Sequence, residues 1–170
     1  MTSVVIIGGG PGGSEAALTA RQLGGEVTVI EQRAMGGSAV LTDVVPSKTL
    51  ISVGQRMATF REAGVLGVRM RDGSDDIWPN LTVDLAAVND RIRRLAEAQS
   101  ADTTRALTEA GVRVIDGFGR ISGHHMVAAD TAAGTEEIPA EITLICTGGH
   151  PRVLPSAQPD GERILNWAQL

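Results

Sequence analysis

The sequence predicts an α/β fold, a doubly wound parallel sheet with a small antiparallel β segment near residues 118–140. Two observations carry this prediction. The chain opens with an apolar strand pattern at residues 4–7, a run of glycines, a helical pattern, and a second apolar strand at residues 27–30. Helical and strand patterns then follow one another to a last apolar run at residues 142–146. Such an order is typical of βαβ units in a parallel sheet.

The glycine run has the spacing of a dinucleotide-binding turn. Gly8, Gly10 and Gly13 form Gly-x-Gly-x-x-Gly after the first strand, and Glu31 ends the second strand 18 residues after Gly13. Gly8 permits the tight turn, Gly10 lets a pyrophosphate approach the backbone, and Gly13 lets the helix pack closely on the strand. The helix N-terminus favours the anionic pyrophosphate. Glu31 would accept hydrogen bonds from the ribose hydroxyls and repel a 2′-phosphate. A plain tight turn is the alternative.

Composition excludes several classes of protein. The 170 residues carry a net charge of −5 and no basic tract, so we expect no nucleic-acid partner. No apolar run is long enough to span a bilayer, and the N-terminus has no secretory signal pattern. The single cysteine, Cys146, cannot form a disulfide within the chain, which fits a reducing compartment. We therefore expect a cytoplasmic protein.

Beyond the first βαβ unit, the pattern predicts a loop, a helix and a surface excursion. Residues 34–42 contain two glycines and favour a loop. Pro46 suits the first position of a helix, which we expect to continue through Val53. Residues 64–80 are rich in Gly, Pro and Asp and predict an excursion on the surface, with a short strand at 65–70 as an option.

The second half of the chain predicts a long helix followed by short strands. Apolar and small side chains recur three or four apart over residues 85–110, with Asp84 as the N-cap and Gly111 as the stop. We expect this stripe to pack in the core. Four segments then predict β structure: the strand at 112–115, hairpin-like pieces at 120–129 and 135–139, and a buried strand at 142–146. The tail at 151–159 carries three prolines and predicts an extended connector.

Two polar clusters are candidates for metal binding, and neither offers enough converging ligands. The carboxylates of Asp72, Asp75 and Asp76 predict a solvated loop, with a weak cation site as the alternative. His124 and His125 predict a surface turn after Gly123. We therefore predict no metal site.

Three motifs resemble one protein family. The segment from Gly36 to Lys48 resembles the active-site loop and helix of the FAD-dependent pyridine nucleotide–disulfide oxidoreductases, the group that contains lipoamide dehydrogenase and glutathione reductase. That pattern is Gly-Gly-Thr-Cys-x-x-x-x-Cys-x-Pro-Ser-Lys, and this chain has Gly-Gly-Ser at 36–38 and Pro-Ser-Lys at 46–48. Residues 146–152 are similar to the family's Ala-Thr-Gly-x-x-Pro-Arg, with Cys146 in place of the alanine. Gly117-Phe118-Gly119 matches the turn that touches the adenine side of FAD.

The resemblance implies a Rossmann-like FAD-binding domain over residues 1–150 and a connector over 151–170 that leads to an NAD(P)H-binding domain absent from this chain. It implies that Lys48, the only lysine, stabilises negative charge near flavin N5, whereas the alternative is an exposed helix lysine. The Cys146 thiol itself is expected to be a small core group. The implied FAD contacts are Gly8, Gly10, Pro11, Gly12, Gly13, Glu31, Gln32, Gly36, Gly37, Ser38, Lys48, Phe118, Gly119, Cys146, Thr147 and Gly148.

The departure from the family pattern decides the expected chemistry. Ala39 and Val44 occupy the positions of both redox cysteines, and neither side chain can replace a thiolate in dithiol exchange. Residues 98–102 and 155–165 look close to an actinobacterial branch that works as an NAD(P)H:quinone reductase. We therefore expect hydride from NAD(P)H to pass through FAD to a quinone-type acceptor.

Two alternatives remain at this point. One is transhydrogenase-like hydride exchange between NADH and NADP⁺, which also needs no cysteine pair. The other is a non-catalytic FAD-binding fragment, because the chain lacks the family's second glycine-rich fingerprint and its dimerisation domain. The resemblance implies a homodimer for the full-length parent. A stand-alone NAD-binding domain is disfavoured, because it would not need the segment at 36–48.

Overall fold

A four-stranded parallel sheet and a three-stranded antiparallel sheet organise the chain. The computed structural model describes residues 1–74, 78, 81–166 and 168–169. In chain order the elements are β1 (Ser3–Ile7), α1 (Pro11–Gln22), β2 (Glu26–Glu31), α2 (Gly37–Leu41), α3 (Val44–Glu62), α4 (Leu85–Glu109), β3 (Arg113–Asp116), β4 (Phe118–Gly123), β5 (Met126–Thr131), β6 (Gly134–Pro139) and β7 (Ile142–Ile145). The predicted fold class is confirmed.

The parallel sheet has the strand order β3-β2-β1-β7, so the first strand of the chain lies between two neighbours. Ile6 pairs in register with Val29 of β2 on one side and with Leu144 of β7 on the other. Ile6 and Val29 are fully buried, as expected for strands covered on both faces. The continuous apolar runs of β1 and β2 therefore follow from burial on two sides.

Successive residues of β1 supply two separate hydrophobic cores. Val4 and Ile6 pack on one face of the sheet with Ala17 of α1 and Leu107 of α4. Val5 and Ile7 pack on the other face. Their buried partners there come from β2, β3, β5, β6 and the residue after β6: Ile30, Ile115, Val127, Ala129, Ile138 and Ala140. Helices thus cover one face and the antiparallel sheet covers the other.

The antiparallel sheet has the order β4-β5-β6. The two predicted hairpin-like segments are one three-stranded meander, because β5 pairs with both of its neighbours. His124 and His125 form the turn between β4 and β5, as predicted, and His125 has a positive φ of 56°. Its Nδ1 lies 3.2 Å from the carbonyl oxygen of Ala140.

The segment at 34–42 differs from the prediction. Its second half is helix α2 rather than loop, and α3 begins at Val44 instead of Pro46 and continues to Glu62. Pro46 is the third residue of α3, where its missing N–H costs nothing because the first-turn N–H groups have no intrahelical acceptor. The first bond of this helix runs from the Ser47 N–H to the Asp43 carbonyl, at 2.8 Å.

The predicted strand option at 65–70 is wrong. Consecutive i→i−3 bonds form turns here, from Val65 to Glu62 and from Leu66 to Ala63, and no described strand pairs with the segment. Asp72 is exposed, and its pKa is lowered by hydrogen bonds from Ser74. The predictions for Asp75 and Asp76 concern residues that lie outside the described part of the chain.

Helix α4 begins and ends where the sequence predicts. The Asp84 carboxylate accepts a hydrogen bond from the Ala87 N–H at 3.0 Å, and Gly111 follows the helix with a φ of 82°. The expected core stripe holds only in part: Leu107 is buried, whereas Leu85 and Leu95 are 57% and 38% exposed. Helix α4 also packs on α3, which contributes no buried residue.

The last strand was predicted to be buried, and this is wrong, because no residue of β7 is fully buried. Ile142 and Ile145 are 47% and 66% exposed, because β7 lies at the edge of the parallel sheet. Cys146 is half-buried and packs against the helix-side core, as expected for a small core group.

Within the described residues, no helix combines the length and the apolar character needed to cross a bilayer.

Gly13 is a packing requirement, so we expect Gly13→Ala to destabilise the chain. An added Cβ would lie 1.9 Å from the Gly8 carbonyl oxygen, and the turn would have to move. The expected loss is about 1–3 kcal/mol in the free energy of unfolding, measured with urea in the absence of nucleotides. Gly12→Ala is the matched control, because its Cβ meets no atom within 4 Å. Equal stability of the Gly13→Ala variant and the wild type would contradict this packing role.

Candidate cofactor-binding cleft

A cleft of about 710 Å³ lies at the carboxyl ends of the parallel strands. Ligands of open α/β sheets bind at this edge, in the crevice between the loops that follow the strands. The loops after β1, β2, β3 and β7 all reach this cleft, together with α2. The lining residues are Ile7, Gly8, Gly10, Pro11, Gly12, Ile30, Glu31, Gln32, Arg33, Gly37, Ser38, Leu41, Thr42, Gly117, Phe118, Gly119, Cys146, Thr147, Gly148, Gly149, His150, Pro151 and Ala168.

Gly8 forms the first turn of the cleft wall and is held on two sides. Its N–H donates to the carbonyl of Ile30 at 2.8 Å, and its φ of 108° is a conformation that L side chains rarely adopt. A Cβ at Gly8 would lie 2.3 Å from the Cys146 carbonyl oxygen. The turn therefore requires glycine both for its dihedral angle and for the approach of the chain after β7.

The N-terminus of α1 opens onto the cleft. Gly10 is the N-cap and Pro11 the first helical residue, and the helix has neither a side-chain cap nor an acidic residue in its first turn. A Cβ at Gly10 would meet only the Gly37 Cα, at 3.9 Å. The first-turn N–H groups and the positive end of the helix dipole thus face a space without side chains, which suits a phosphate group.

A second glycine segment touches the first. The Gly36 N–H donates to the Gly9 carbonyl at 2.8 Å. Gly36 and Gly37 have φ angles of 101° and 53°, and a Cβ at Gly37 would lie 2.9 Å from the Gly10 Cα. This contact brings the start of α2, with Ser38, to the cleft beside the α1 N-terminus.

The Glu31 side chain lines the cleft at the place where the sequence predicts that the ribose of the adenosine binds. Its Oε2 accepts the Gly9 N–H at 2.7 Å and its Oε1 accepts the Arg33 N–H at 2.9 Å. Each carboxylate oxygen can accept a second hydrogen bond, so two vicinal hydroxyls can still bind. The Gly117 N–H donates to the Glu31 carbonyl at 2.9 Å, which ties the loop after β3 to the same point.

Five residues singled out from the sequence do not line the cleft. Gly13 and Gly36 lie behind it as buried packing glycines. Lys48 is exposed on α3 and makes no hydrogen bond or ion pair with the described residues. Ala39 is half-buried in α2, and Val44, the first residue of α3, is exposed.

Sequence reasoning missed several residues of this site. Gly9 binds the Glu31 carboxylate through its N–H, and an added Cβ there would lie 2.4 Å from the sulfur of buried Met35, whose side chain would have to shift. Arg33, Leu41, Thr42, Gly149, His150 and Pro151 line the cleft without having been predicted. The only sequence signal for Arg33 was its position two residues after Glu31.

Residues 2–167 match the family described as pyridine nucleotide-disulphide oxidoreductase. The chain belongs to this family. The resemblance seen in the sequence is therefore confirmed, and the turn at 8–13 and the segment at 36–48 belong to a recognised family framework.

The relatives within the pyridine nucleotide-disulphide oxidoreductases are longer than this chain. An NAD(P)H dehydrogenase (quinone) of Mycobacterium tuberculosis is 43% identical over 180 aligned positions, which cover the whole chain and 35% of the relative. A dihydrolipoyl dehydrogenase of Bacillus subtilis is 30% identical over 95% of the chain and 34% of its own length. The chain thus spans about a third of the curated relatives it matches.

Solved structures in this family share the fold. The crystal structure of LpdA from Mycobacterium tuberculosis matches the whole chain and 37% of its own length, with a TM-score of 0.83 and 43% identity. The flavoprotein disulfide reductase RclA from Escherichia coli matches 91% of the chain and 30% of its own, with a TM-score of 0.70 and 24% identity. The second likeness concerns the fold alone.

We expect Glu31→Gln to loosen the glycine turn. The two N–H groups of Gly9 and Arg33 bind different oxygens of the Glu31 carboxylate, and glutamine has an NH2 donor in place of one of them, so one of the two N–H groups loses its acceptor. An unsatisfied, partly buried donor costs about 1–3 kcal/mol. The measurement is hydrogen exchange of the Gly9 and Arg33 amides by NMR, and exchange of at least one of the two should become faster. Glu15→Gln is the control, because Glu15 is exposed on α1 and makes no hydrogen bond or ion pair with the described residues. Unchanged protection of both the Gly9 and the Arg33 amides would refute the role of Glu31.

Proposed function

We propose that this chain is the FAD-binding segment of a flavoenzyme that passes hydride from NAD(P)H through flavin to a quinone-type acceptor without a redox disulfide. The observation that carries the proposal is the combination of a glycine-framed cleft ending on Glu31 with Ala39 and Val44 at the two cysteine positions. The quinone-reducing relative from Mycobacterium tuberculosis supports the acceptor class.

The residues of the cleft fit FAD. Its volume of about 710 Å³ is within the usual range for cofactor sites, about 300–1,000 Å³. The α1 N-terminus, with Gly10 and Gly12 open to the cleft, would hold the pyrophosphate. The free acceptor positions of Glu31 would take the two ribose hydroxyls. When bound, FAD would supply the group that accepts and releases hydride.

The absence of thiolates at residues 39 and 44 limits the chemistry that this segment can perform. Dithiol exchange needs a nucleophilic thiolate. The one cysteine of the chain, Cys146, lies at the end of β7 beside Gly8, whereas residues 39 and 44 belong to α2 and α3. No second cysteine is present to form a disulfide with it. Electrons would therefore leave the flavin directly to a small acceptor.

Lys48 would act as a fixed positive charge in this scheme. The proposal places its ammonium near flavin N5, where a cation stabilises the reduced flavin. Two features support it: Lys48 has no competing partner among the described residues, and α3 follows directly on the cleft-lining residues Leu41 and Thr42.

We propose that residues 1–150 form the FAD-binding domain and that residues 151–170 connect to an NAD(P)H-binding domain of a longer protein. The described residues between 151 and 166 support a connector, since they contain only an isolated bridge between Leu154 and Ala157. A cytoplasmic homodimer of that longer protein completes the proposal.

The chain should bind FAD at a 1:1 ratio, and Gly10→Val should abolish or strongly weaken binding. Valine methyls at this position would occupy the space assigned to the pyrophosphate, and we expect at least a tenfold loss of affinity. The measurement is a titration of FAD fluorescence. Gly54→Val is the control, since residue 54 lies on α3 with no atom within 4 Å of its Cβ and outside the cleft. A wild-type chain that binds no FAD would overturn the proposal for this segment.

The complete protein with bound FAD should oxidise NAD(P)H with a quinone and should not reduce lipoamide. The reason is that Ala39 and Val44 cannot form the mixed disulfide that lipoamide reduction requires. Steady-state assays with a quinone, with lipoamide and with NADP⁺ or a thio-analogue as acceptors separate the possibilities. Efficient lipoamide reduction, or hydride exchange between nucleotides without quinone reduction, would contradict the proposed acceptor.

A further inference from the structure

A second cavity, of about 370 Å³, lies at the edge of the parallel sheet opposite the cofactor cleft. Ser3, Glu26 and Arg113, the first residues of β1, β2 and β3, all line it. Residues 136–139 of β6 form the wall on the side of the antiparallel sheet. None of the described residues that line this cavity also lines the cleft. Its volume is within the usual range of small-molecule sites, about 300–1,000 Å³.

Thr28 lies on the face of the parallel sheet that the antiparallel sheet covers. Its neighbours Val27 and Val29 pack in the core under the helices, and successive residues of a strand point to opposite faces. Thr28 pairs in register with Val5, which belongs to the other core, and with Arg113. The Thr28 side chain therefore points into the space between the two sheets, where it lines the cavity.

The Thr28 hydroxyl is a buried polar group without a protein partner. The residue is only 7% exposed, and its hydroxyl makes no hydrogen bond with the described residues. Every fully enclosed side-chain nitrogen or oxygen in the described part of the chain has a partner, so the Thr28 hydroxyl must retain access to solvent. The cavity provides that access. The hydroxyl is therefore free to bond a ligand, and leaving it unpaired against an apolar ligand would be costly.

The one arginine among the cavity's described lining residues is already paired. Arg113 of β3 donates two parallel hydrogen bonds to the Glu136 carboxylate of β6, at 2.7 and 2.8 Å. These bonds raise the pKa of the Arg113 guanidinium and lower the pKa of the Glu136 carboxyl, so both groups stay charged near neutral pH. The pair joins the two sheets beside the cavity and leaves no net charge there.

The Glu26 carboxylate is the unpaired charge on the Thr28 side of the cavity. Glu26 is two residues from Thr28 on β2, so both side chains lie on the same face. The Glu26 side chain is exposed and makes no hydrogen bond or ion pair with the described residues. Glu137 also lines the cavity, but its neighbour Ile138 points to the core, and the Glu137 carboxylate on the opposite face accepts from the Ser122 hydroxyl. The charge that a ligand meets here is therefore negative.

The remaining walls favour an organic cation over a metal ion. Val5, Ile138 and Pro139 add apolar surface to the cavity. Among the described residues, no three His, Cys, Asp or Glu side chains come together as metal ligands. A primary ammonium has three donors, which suit one carboxylate and one hydroxyl, and its alkyl chain can cover the apolar wall.

We propose that this cavity binds a small primary alkylammonium, whose N–H groups donate to the Glu26 carboxylate and the Thr28 hydroxyl. The alkyl chain lies against Val5 and Ile138. The site is on the other edge of the sheet from the cofactor cleft and does not require a flavin, so it goes beyond the proposed function.

The test is an NMR titration of the chain with n-butylammonium, without flavin. The amides of residues 26–28 and 136–138 should shift and saturate at a 1:1 ratio. Thr28→Val and Glu26→Gln should each weaken binding about tenfold, because each removes one hydrogen-bond partner of the ammonium. Thr143→Val and Glu15→Gln are the matched controls: Thr143 pairs with Val5 on the same sheet, Glu15 is exposed on α1, and neither lines the cavity. Urea unfolding checks that the variants stay folded.

Tetramethylammonium and butyrate separate hydrogen bonding from charge and from apolar contact. Tetramethylammonium keeps the positive charge but has no N–H donor, and butyrate keeps an alkyl chain but is an anion, so both should bind more weakly than n-butylammonium. Shifts that do not saturate, or that spread over the acidic surface around Glu15, would overturn the proposal. Wild-type affinity in Thr28→Val would overturn it as well. None of these outcomes depends on whether the cleft holds FAD, so the proposed function is tested separately.

Discussion

The close approach of three backbone segments around Gly8 is the constraint on which the cleft depends. The Gly8 carbonyl lies where a Cβ of Gly13 would be, and the Cys146 carbonyl lies where a Cβ of Gly8 would be. With no side chains between them, α1 can begin directly at the end of β1, and the chain after β7 can pass alongside. The N-terminus of α1 consequently points into the cleft with its first N–H groups free.

The strand β1 connects this turn to both cores. Its alternating residues bury one set of side chains under α1 and α4 and the other set under the antiparallel sheet. The antiparallel sheet therefore covers one face of the parallel sheet and also contributes to the cleft, because Phe118 at the start of β4 lines it. Packing on one face of the parallel sheet thus determines that Phe118 lines the cleft that Glu31 also lines.

The shape of the cleft is compatible with the proposed absence of the redox cysteines. The contacts that shape the cleft are mostly backbone groups: the amides of Gly9 and Gly36, the carbonyls of Ile30 and Cys146, and the N-terminus of α1. These contacts depend on glycine positions and strand ends rather than on residues 39 and 44. Under the proposed function, Ala39 and Val44 would exclude dithiol chemistry while the residues proposed to hold FAD keep their arrangement.

The sequence by itself determined the features that depend on local backbone chemistry. The helix start after the glycines at 8–13 and the caps at Asp84 and Gly111 are found where the sequence predicts them, because each acts on residues a few positions away. Glu31 is predictable from its place at the end of the second strand, although it accepts a hydrogen bond from Gly9, 22 residues earlier in the chain. Tertiary structure alone decided the exposed edge of β7, the partly exposed stripe of α4 and the helical form of residues 37–41. It also decided that Arg33 and Phe118 face the same cleft while Lys48 lies outside its lining. These outcomes depend on which strands pair and which surfaces pack, and residues far apart in the chain settle both.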